Sequence, residues 1–362
     1  MGTPQPSFIF PLVILTFTAV SYVFFVVVYT VQPTPFIDEI FHIPQAQKYC
    51  EGSFLEWDPK ITTLPGLYLF SIGLNGPVSW VLGHQLCDVF SLRITNLVAA
   101  AFMLFTLHKL LIHLHKDKAL MKKLKKTAAK PYRLAEVLVD VMADCFSYGL
   151  VLACFLVFVM YNGSIVVGDR SAHEATVHLP QLGYFFLFFI IFSLPYAPSH
   201  VRPFIKLCRR HLALAVAVLV VSVMVVHSNT LVHPYLLADN RHLTFYLWNK
   251  LYGRFSVIRY LMVPVYMFGA YMVHTFIQHR SFVFKALFVA CLAASVVPHK
   301  LLEFRYFIIP FLLARMQNVS RNWWQLWIET LYFLLINTLT LYLFVSKTFM
   351  WDDSPELQRI IW

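Results

Sequence analysis

The chain has 362 residues, of which 59% are hydrophobic and only 13% are charged. Soluble domains usually contain roughly 45–50% apolar and about 25% charged residues, so one water-soluble core could not bury this much apolar surface. The composition excludes intrinsic disorder, a fibrous repeat and a small disulfide-bonded secreted module, and it predicts a polytopic membrane protein. The net charge is +11, which we interpret as basic cytoplasmic loops rather than a nucleic-acid-binding surface.

The first apolar run, Phe8 to Val31, is long enough to cross about 30 Å of hydrocarbon. We expect a retained anchor, because no lysine or arginine precedes it and no small-residue cleavage motif follows it. Further apolar runs predict membrane segments at 65–83, 89–112, 134–160, 179–197, 212–232, 260–277, 283–298, 304–316 and 326–345. The expected fold is an all-α polytopic membrane protein with about nine or ten membrane segments, in a single domain over residues 1–362.

Basic loops assign the two sides of the membrane. Eight lysines and arginines in the loop 113–133 predict that it is cytoplasmic. After residue 133, successive loops alternate between the cytoplasmic and the opposite side in agreement with this assignment. Near the N terminus, the alternation of sides fails once. If 32–64 is non-cytoplasmic, crossings at both 65–83 and 89–112 would place 113–133 on the wrong side. Either 65–83 is re-entrant, or an odd number of crossings is missing before residue 113.

Several kinds of site are not expected. The sequence contains no glycine-rich nucleotide-binding motif, no zinc-protease motif and no Asp-x-Asp pair, so neither a nucleotide cofactor nor a metal site is predicted. The six cysteines include no C-x-x-C pair, so we also expect no disulfide framework and no zinc site.

Polar residues that could carry chemistry cluster at the ends of the apolar runs. The first such loop contains Asp38, Glu39 and His42, and a helix from Asp38 would place both carboxylates on faces next to His42. Carboxylates held against an apolar layer tend to have raised pKa values, which suits a general base. The alternative is that they stabilise the N terminus of the helix. Trp57 and Asp58 follow as further candidates for substrate contact. Their structural alternatives are an anchor at the membrane interface for Trp57 and a turn for Asp58.

Three further clusters are predicted on the same membrane face, where charged groups are costly and are therefore candidates for function. Cations there would suit an anionic group such as a lipid phosphate, and carboxylates would suit a hydroxyl that is to be activated. Mutual pairing of the charges is the structural alternative. The clusters contain Asp169, Arg170, His173 and Glu174; Asp239, Arg241 and His242; and His299, Lys300, Glu303 and Arg305.

Five strings in these regions resemble the endoplasmic-reticulum α-1,2-glucosyltransferases that use dolichyl phosphate glucose. The strings read IDEIFHIPQAQKYC, WDPKITTLPGLY, GDRSAHEATVHLPQ, LLADNRHLTFYLW and KLLEFRYFIIP. The resemblance covers residues 20–112 and about 134 to the C terminus. Members of the family usually carry additional membrane segments between these two regions, which would account for the break in the alternation.

The resemblance implies a GT-C-type glycosyltransferase of the endoplasmic-reticulum membrane with a lumenal active site and no metal or cofactor. Such an enzyme adds the third, terminal glucose to the diglucosylated dolichyl-diphosphate oligosaccharide, with inversion. Its partners are the two lipid-linked substrates and the bilayer, without nucleic acid. The implied base is Asp38, with Glu39 as the competing assignment. The implied ligands of the donor phosphate are Lys300 and Arg305, followed by Arg241 and His299. The expected substrate contacts are His42, Trp57, Asp58, Asp169, Arg170, His173, Glu174, Asp239 and His242.

Two other functions are weighed against this one. A transporter or channel subunit would carry charges at mid-depth and internal inverted repeats, whereas the charges here lie at segment ends and no repeat is visible. A catalytically dead relative would have no reason to retain the acidic first loop together with Lys300 and Arg305.

Overall fold

A computed structural model describes residues 9–127, 132–169, 176–318, 322–352 and 354–361 of the chain. It divides into two compact units, Met1–His173 and Glu174–Trp362. The first unit consists of the helices α1 (Ile9–Val31), α2 (Glu39–Cys50), α3 (Gly66–Leu82), α4 (Val89–Thr127) and α5 (Tyr132–Asn162). That all 362 residues form one membrane domain stays a prediction.

The second unit is also mainly helical, and it ends in a small antiparallel hairpin. Its elements are α6 (Pro180–Phe192), α7 (Ala197–Arg210), α8 (Leu212–Asn229), α9 (Pro234–Ala238), α10 (Leu243–Leu247), α11 (Ser256–Leu261), α12 (Val263–Ile277), α13 (Phe282–Val296), α14 (Arg305–Arg315), α15 (Trp323–Ser346), β1 (Thr348–Trp351) and β2 (Ser354–Arg359). The hairpin is a local exception to the all-α expectation.

Among the described residues, six helices are long and apolar enough to cross a membrane. A seventh crossing results if α6 and the helix that follows it, bent by 75°, are counted as one span. These helices confirm a mainly helical polytopic protein. The number nine or ten stays a prediction, because α13 and α14 have only 15 and 11 residues and a helix rises about 1.5 Å per residue.

Helices α1 and α4 form an antiparallel pair. The ring of Phe10, at the start of α1, stacks on His108 in the middle of α4 with centroids 3.4 Å apart. At the opposite end, the guanidinium of Arg93 donates to the carbonyls of Gln32 and Thr34, just after α1. The two helices therefore pack antiparallel to each other. The basic segment predicted as a loop at 113–133 is largely helical, because α4 continues to Thr127.

Helix α3 begins and ends on the same side of the α1–α4 pair. Before it, the backbone N–H of Asp58 donates to the side chain of Gln45 in α2. After it, the chain turns back, and Gln47 of α2 donates to the carbonyl of Cys87 at 3.1 Å. Because α2 holds both flanks of α3, this arrangement favours the first alternative, in which 65–83 does not cross and α4 alone crosses between 32–64 and the basic segment. The number of crossings and their sides stay predictions.

A disulfide corrects the expectation that the cysteines form no such bond. Cys50 at the end of α2 is bonded to Cys87 in the turn before α4; the two are 37 positions apart in the sequence and their Cα atoms are 6.6 Å apart. The spacing of the cysteines does not predict this pair, because the two residues are brought together by the fold and not by the local sequence. The bond fixes the return of the chain after α3.

The core of the second unit lies where α6 crosses α12. Aromatic side chains such as Phe185, Phe189 and Phe307 are fully buried there. Gly269 of α12 lies so close to α6 that a Cβ atom at this position would be 2.5 Å from the carbonyl oxygen of Phe186. A glycine is therefore required for the two helices to approach this closely. Helix α6 in turn begins at the residues that support one of the predicted cation clusters.

Candidate active site

Asp38 directly follows a strained residue in the turn before α2. Ile37 has φ 53°, a left-handed conformation that is costly for a β-branched residue and that is often found at functional sites. Asp38 is the N-cap residue of α2, but its side chain makes no capping hydrogen bond, and it is exposed. The predicted helix is therefore confirmed, while the side chain of Asp38 does not act as its cap.

Glu39 takes the structural role instead. Its Oε2 accepts the backbone N–H of Phe36 at 3.0 Å. Both carboxylate oxygens also accept from Arg93, at 2.9 Å from Nε to Oε1 and 2.6 Å from Nη2 to Oε2. The Arg93 side chain is 10% exposed and that of Glu39 34%. Such a bidentate, partly buried pair fixes the geometry of the turn and engages both carboxylate oxygens of Glu39.

His42 and Trp57 belong to one aromatic cluster beneath the turn. His42 Nδ1 and the hydroxyl of Tyr68 are 2.5 Å apart, and Tyr68 is 1% exposed. The rings of Tyr49 and Trp57 contact Tyr68 edge-on at 5.6 and 5.8 Å. The indole N–H of Trp57 donates to the carbonyl of Ile61 at 3.0 Å. This cluster anchors the base of α2 and orients the His42 imidazole.

The second and third predicted clusters meet in the first unit. Asp58 forms the expected turn, since its Oδ1 accepts the N–H of Lys60 at 2.9 Å. The N–H of Asp169 donates to the carbonyl of Pro59 at 2.6 Å. Gly168, with φ +66°, has no room for a Cβ against that same carbonyl. Asp58 and Asp169 are thus carried by adjoining loops. The other predicted members of that cluster lie outside the described residues; they are Arg170, His173 and Glu174.

The cations of the last cluster differ in how they are engaged. Arg305 forms an ion pair with Glu303, with Nη2 2.8 Å from Oε1. The imidazole of His299 stacks on Tyr306 with centroids 4.2 Å apart. Among the described residues, no carboxylate forms an ion pair with the ammonium of Lys300. Of the cations in this cluster, Lys300 is thus the one for which the described part of the chain provides no ion-paired carboxylate.

The fourth cluster is held together by its own charges. Arg241 donates to both oxygens of Asp239, at 2.9 and 2.7 Å, and His242 Nε2 lies 3.6 Å from the same carboxylate. Burial alone would raise the pKa of Asp239, but the hydrogen bonds and charge of Arg241 outweigh it and hold that pKa below its usual value. The guanidinium lies 4.6 Å from the ring of Trp351 in β1. The hairpin thus stabilises this loop.

An apolar cavity of about 640 Å³ lies among α6, α7, α8 and α12. Its walls are mainly aliphatic and aromatic, and they begin at Leu179 and Pro180, beside the support of the Lys300 loop. At the far end they reach His211 and His274. Within the described residues, no group of three or more His, Cys, Asp or Glu side chains could hold a metal ion.

The model of the DIE2/ALG10 family matches residues 32–131 and 115–316. The chain belongs to the DIE2/ALG10 family. Three similar proteins share the name Dol-P-Glc:Glc(2)Man(9)GlcNAc(2)-PP-Dol alpha-1,2-glucosyltransferase. That of Rattus norvegicus is 35% identical and that of Homo sapiens 33%, each over 91% of this chain and 93% of its own length. That of Drosophila melanogaster is 32% identical over 90% of this chain and 93% of its own. No solved structure matches.

The family comparison also locates a length difference. The alignment with the rat relative has 441 positions, more than the 362 residues of this chain, so the relative carries residues that this chain lacks. The two matched stretches of the family model overlap at 115–131, which places a discontinuity there. That the missing residues are membrane segments between 112 and 134 stays a prediction.

Sequence reasoning missed two residues that organise these loops. Arg93 was counted as part of an apolar segment, although a single arginine at a segment end was a visible signal that it has a partner. Gln181 is 0% exposed and donates to two backbone carbonyls of the Lys300 loop. Its only signal was its place in the string VHLPQ, at the start of a predicted membrane segment.

Proposed function

We propose that this chain transfers glucose from dolichyl phosphate glucose to the diglucosylated dolichyl-diphosphate oligosaccharide, in α-1,2 linkage. The observation that carries the proposal is its similarity, over nine-tenths of its length, to relatives that carry this name. The exposed carboxylate of Asp38 on a strained turn supports it, because a transferase needs such a group whereas a scaffold does not.

Asp38 is the catalytic base in this proposal. Its carboxylate takes the proton from the 2-hydroxyl of the acceptor glucose as that oxygen bonds to C1 of the donor glucose. The bond from C1 to the phosphate oxygen breaks, and its electron pair leaves with dolichyl phosphate. One displacement inverts a β-linked donor to an α-linked product. Glu39, which is neutralised by Arg93, holds the turn in place and does not take the proton.

Lys300 stabilises the charge that remains on the departing phosphate. Arg305 and Arg241 are already paired with Glu303 and Asp239, so a phosphate would have to compete with a carboxylate for them. They therefore shape the loops, and their remaining N–H groups are secondary ligands together with His299. No general acid is needed, because a phosphate monoester is a good leaving group, and the proposal requires neither metal nor cofactor.

The isoprenoid chain of a lipid-linked substrate fits the apolar cavity among α6, α7, α8 and α12. A chain without polar atoms is suited to aliphatic walls that run between membrane-spanning helices. The remaining substrate contacts that we propose come from His42, Trp57, Asp58, Asp169, Arg170, His173, Glu174, Asp239 and His242.

The location that fits these properties is the endoplasmic-reticulum membrane, with Asp38 facing the lumen. The Cys50–Cys87 disulfide supports this side, since such bonds persist in oxidising compartments and are rare in the cytosol. We further propose a GT-C-type arrangement, with the shorter apolar helices α13 and α14 completing about nine or ten membrane segments.

The test is lipid-linked oligosaccharide profiling in cells that lack the endogenous third-glucose transferase. The wild-type chain should convert the diglucosylated lipid to the triglucosylated one, and Asp38→Asn should not. Glu51→Gln is the matched control, because Glu51 is an exposed carboxylate at the other end of α2, and it should leave conversion unchanged. If the wild-type chain is present in the membrane but converts nothing, it is a catalytically dead relative. Transport of a solute in its place would favour a transporter.

A further inference from the structure

A fully buried amide supports the loop that carries Lys300. Gln181 lies in the first turn of α6 and is 0% exposed. Its Nε2 donates to the carbonyl of His299 at 3.0 Å and to that of Leu301 at 2.9 Å. These are the two residues that flank Lys300. One side chain therefore fixes the peptide units on either side of the lysine.

The same segment holds the rest of the loop through its backbone. The N–H of Thr176 donates to the carbonyl of Pro298, and that of His178 donates to the carbonyl of Val297, at 3.1 and 3.0 Å. The loop from 297 to 301 thus lies along the stretch 176–181 over its whole length. It joins α13 to the residues before α14. The N–H groups of Val297 and His299 donate back to the end of α13, at 2.9 Å to Ala293 and 3.4 Å to Val296, and the contacts with 176–181 hold the rest of its course.

The supporting segment is itself held from its other side. At the end of α8, the side chain of Asn229 accepts the N–H of Leu179 at 2.7 Å and donates to the carbonyl of Val177 at 2.9 Å. The N–H of Leu231 donates to Nε2 of His178 at 3.2 Å. The stretch 176–181 is therefore clamped between α8 and the Lys300 loop, so that movement of Gln181 is restricted.

We propose that Gln181 is a positioning residue that presets Lys300 for a lipid-linked phosphate; this rests on the role of Lys300 in the proposed function. A lysine ammonium is a point charge on a flexible stem, so its placement depends on how firmly its backbone is held. A donor that is already aimed at the developing charge needs no reorganisation during the reaction, and a misplacement of about 1 Å can cost roughly 100-fold in rate.

The structural alternative is that Gln181 merely satisfies two buried carbonyls. A double-mutant cycle with Lys300 separates the two roles, because residues that act through one another are not additive. The variants are Gln181→Met, which keeps the volume but removes the donor, Lys300→Met, and the two together. Gln181→Asn, which keeps an amide but is shorter, provides a milder change should the methionine variant fold poorly.

The matched control is Gln317→Met. Gln317 is also buried, at 4% exposed, and its amide also donates to a backbone carbonyl, that of Leu313. Its Oε1 in addition accepts from Nε of Arg280 at 2.5 Å, so this control removes at least as many hydrogen bonds as Gln181→Met. It lies at the other end of α14 from the Lys300 loop. Any general effect of removing a buried glutamine amide from this unit should therefore appear in both variants.

The expected result is a loss of roughly 10- to 100-fold in kcat/KM for dolichyl phosphate glucose in Gln181→Met, with KM for the acceptor unchanged. The double variant should be no worse than Lys300→Met alone, and Gln317→Met should be close to wild type. A Gln181 effect that adds in full to that of Lys300, or that Gln317→Met reproduces, would overturn the proposal. So would a Lys300→Met enzyme with unchanged donor kinetics.

A second readout separates this inference from the proposed function. Dolichyl phosphate in detergent micelles should raise the Tm of the purified wild-type protein, and it should raise the Tm less in Gln181→Met and Lys300→Met. If the wild-type chain transfers no glucose but shows this pattern, the preset phosphate site stands and the enzymatic function fails. If glucose is transferred while dolichyl phosphate stabilises all variants equally, the enzymatic function stands and the preset site fails.

Discussion

The pairing of Glu39 with Arg93 allows the two adjacent carboxylates of the first loop to be told apart. Glu39→Gln removes the charge that two Arg93 donors contact at 2.9 and 2.6 Å. Removing one partner of a buried pair costs about 3–5 kcal/mol, but the Glu39 side chain is 34% exposed, so water replaces part of the loss. Arg93 also keeps its bonds to the carbonyls of Gln32 and Thr34. We therefore expect a loss of roughly 2 kcal/mol in the free energy of unfolding.

Asp38→Asn should behave in the opposite way. The side chain of Asp38 is exposed and does not cap α2, and asparagine keeps its shape. The free energy of unfolding should therefore fall less than in Glu39→Gln, by about 1 kcal/mol at most. Loss of a general base lowers the rate by about 10²- to 10⁴-fold. Asp38→Asn is thus expected to be folded but inactive, and Glu39→Gln to be less stable but active per folded molecule.

The assay combines Tm in detergent with initial rates of glucose transfer, normalised to folded protein. Arg93→Met is the partner control and should be at least as destabilising as Glu39→Gln. Combining the two should cost less than the sum, because neither charge is then left unpaired. A Glu39→Gln protein with wild-type Tm and no transfer, beside an active Asp38→Asn protein, would refute this reasoning and make Glu39 the base.

Three further predictions concern the disulfide, the topology and a buried histidine. Replacing Cys50 and Cys87 by serine should cost roughly 2–4 kcal/mol and should abolish the drop in Tm that a reductant causes in the wild type. In a background without the four free cysteines, Leu55→Cys and His84→Cys should be labelled by an impermeant thiol reagent from one and the same side; labelling from opposite sides would show that α3 crosses. Burial lowers the pKa of His178 to about 4. Between pH 4 and the usual pKa of 6.5, the imidazole is therefore protonated in the unfolded chain but not in the folded one. The free energy of unfolding consequently falls as the pH falls through this range. The loss approaches roughly 3 kcal/mol at the lower limit, and His178→Gln should reduce the dependence of Tm on pH between 7 and 5.

The membrane-spanning helices could be read from the sequence because the bilayer imposes a local rule. A spanning segment must be about 20 residues long, apolar, and hydrogen-bonded within itself. The runs 8–31 and 326–345 meet all three conditions, and they correspond to α1 and α15. The run 65–83 falls short of the length condition, since its helix has only 17 residues. Its course is decided by contacts of its flanks, which hydropathy does not report.

The missing parts of the prediction are contacts between distant residues. Arg93 and Glu39 are 54 positions apart, and Trp351 donates to Asn240 across 111 positions at 2.8 Å. Composition and spacing show which residue types are present, but pairing depends on how the chain folds. The described members of the charged clusters lie in loops or at helix ends, as the sequence predicts. The partner of each charge was not predictable, and neither was the distinction between charges that hold a loop and charges available for chemistry.

Electrostatics within each unit distinguishes the charges that hold a loop in place from those that are available for chemistry. A charge that is satisfied by a partner of opposite sign stabilises the loop, but it has little left to offer a substrate. Glu39 and Arg305 are in this state. Asp38 sits exposed on the strained turn that the Glu39 pair supports, and Lys300 sits on the loop that Gln181 supports. In each unit, a buried polar contact thus fixes the backbone beside the group that we assign to the chemistry, so the contact and the reactive group have to be tested as pairs.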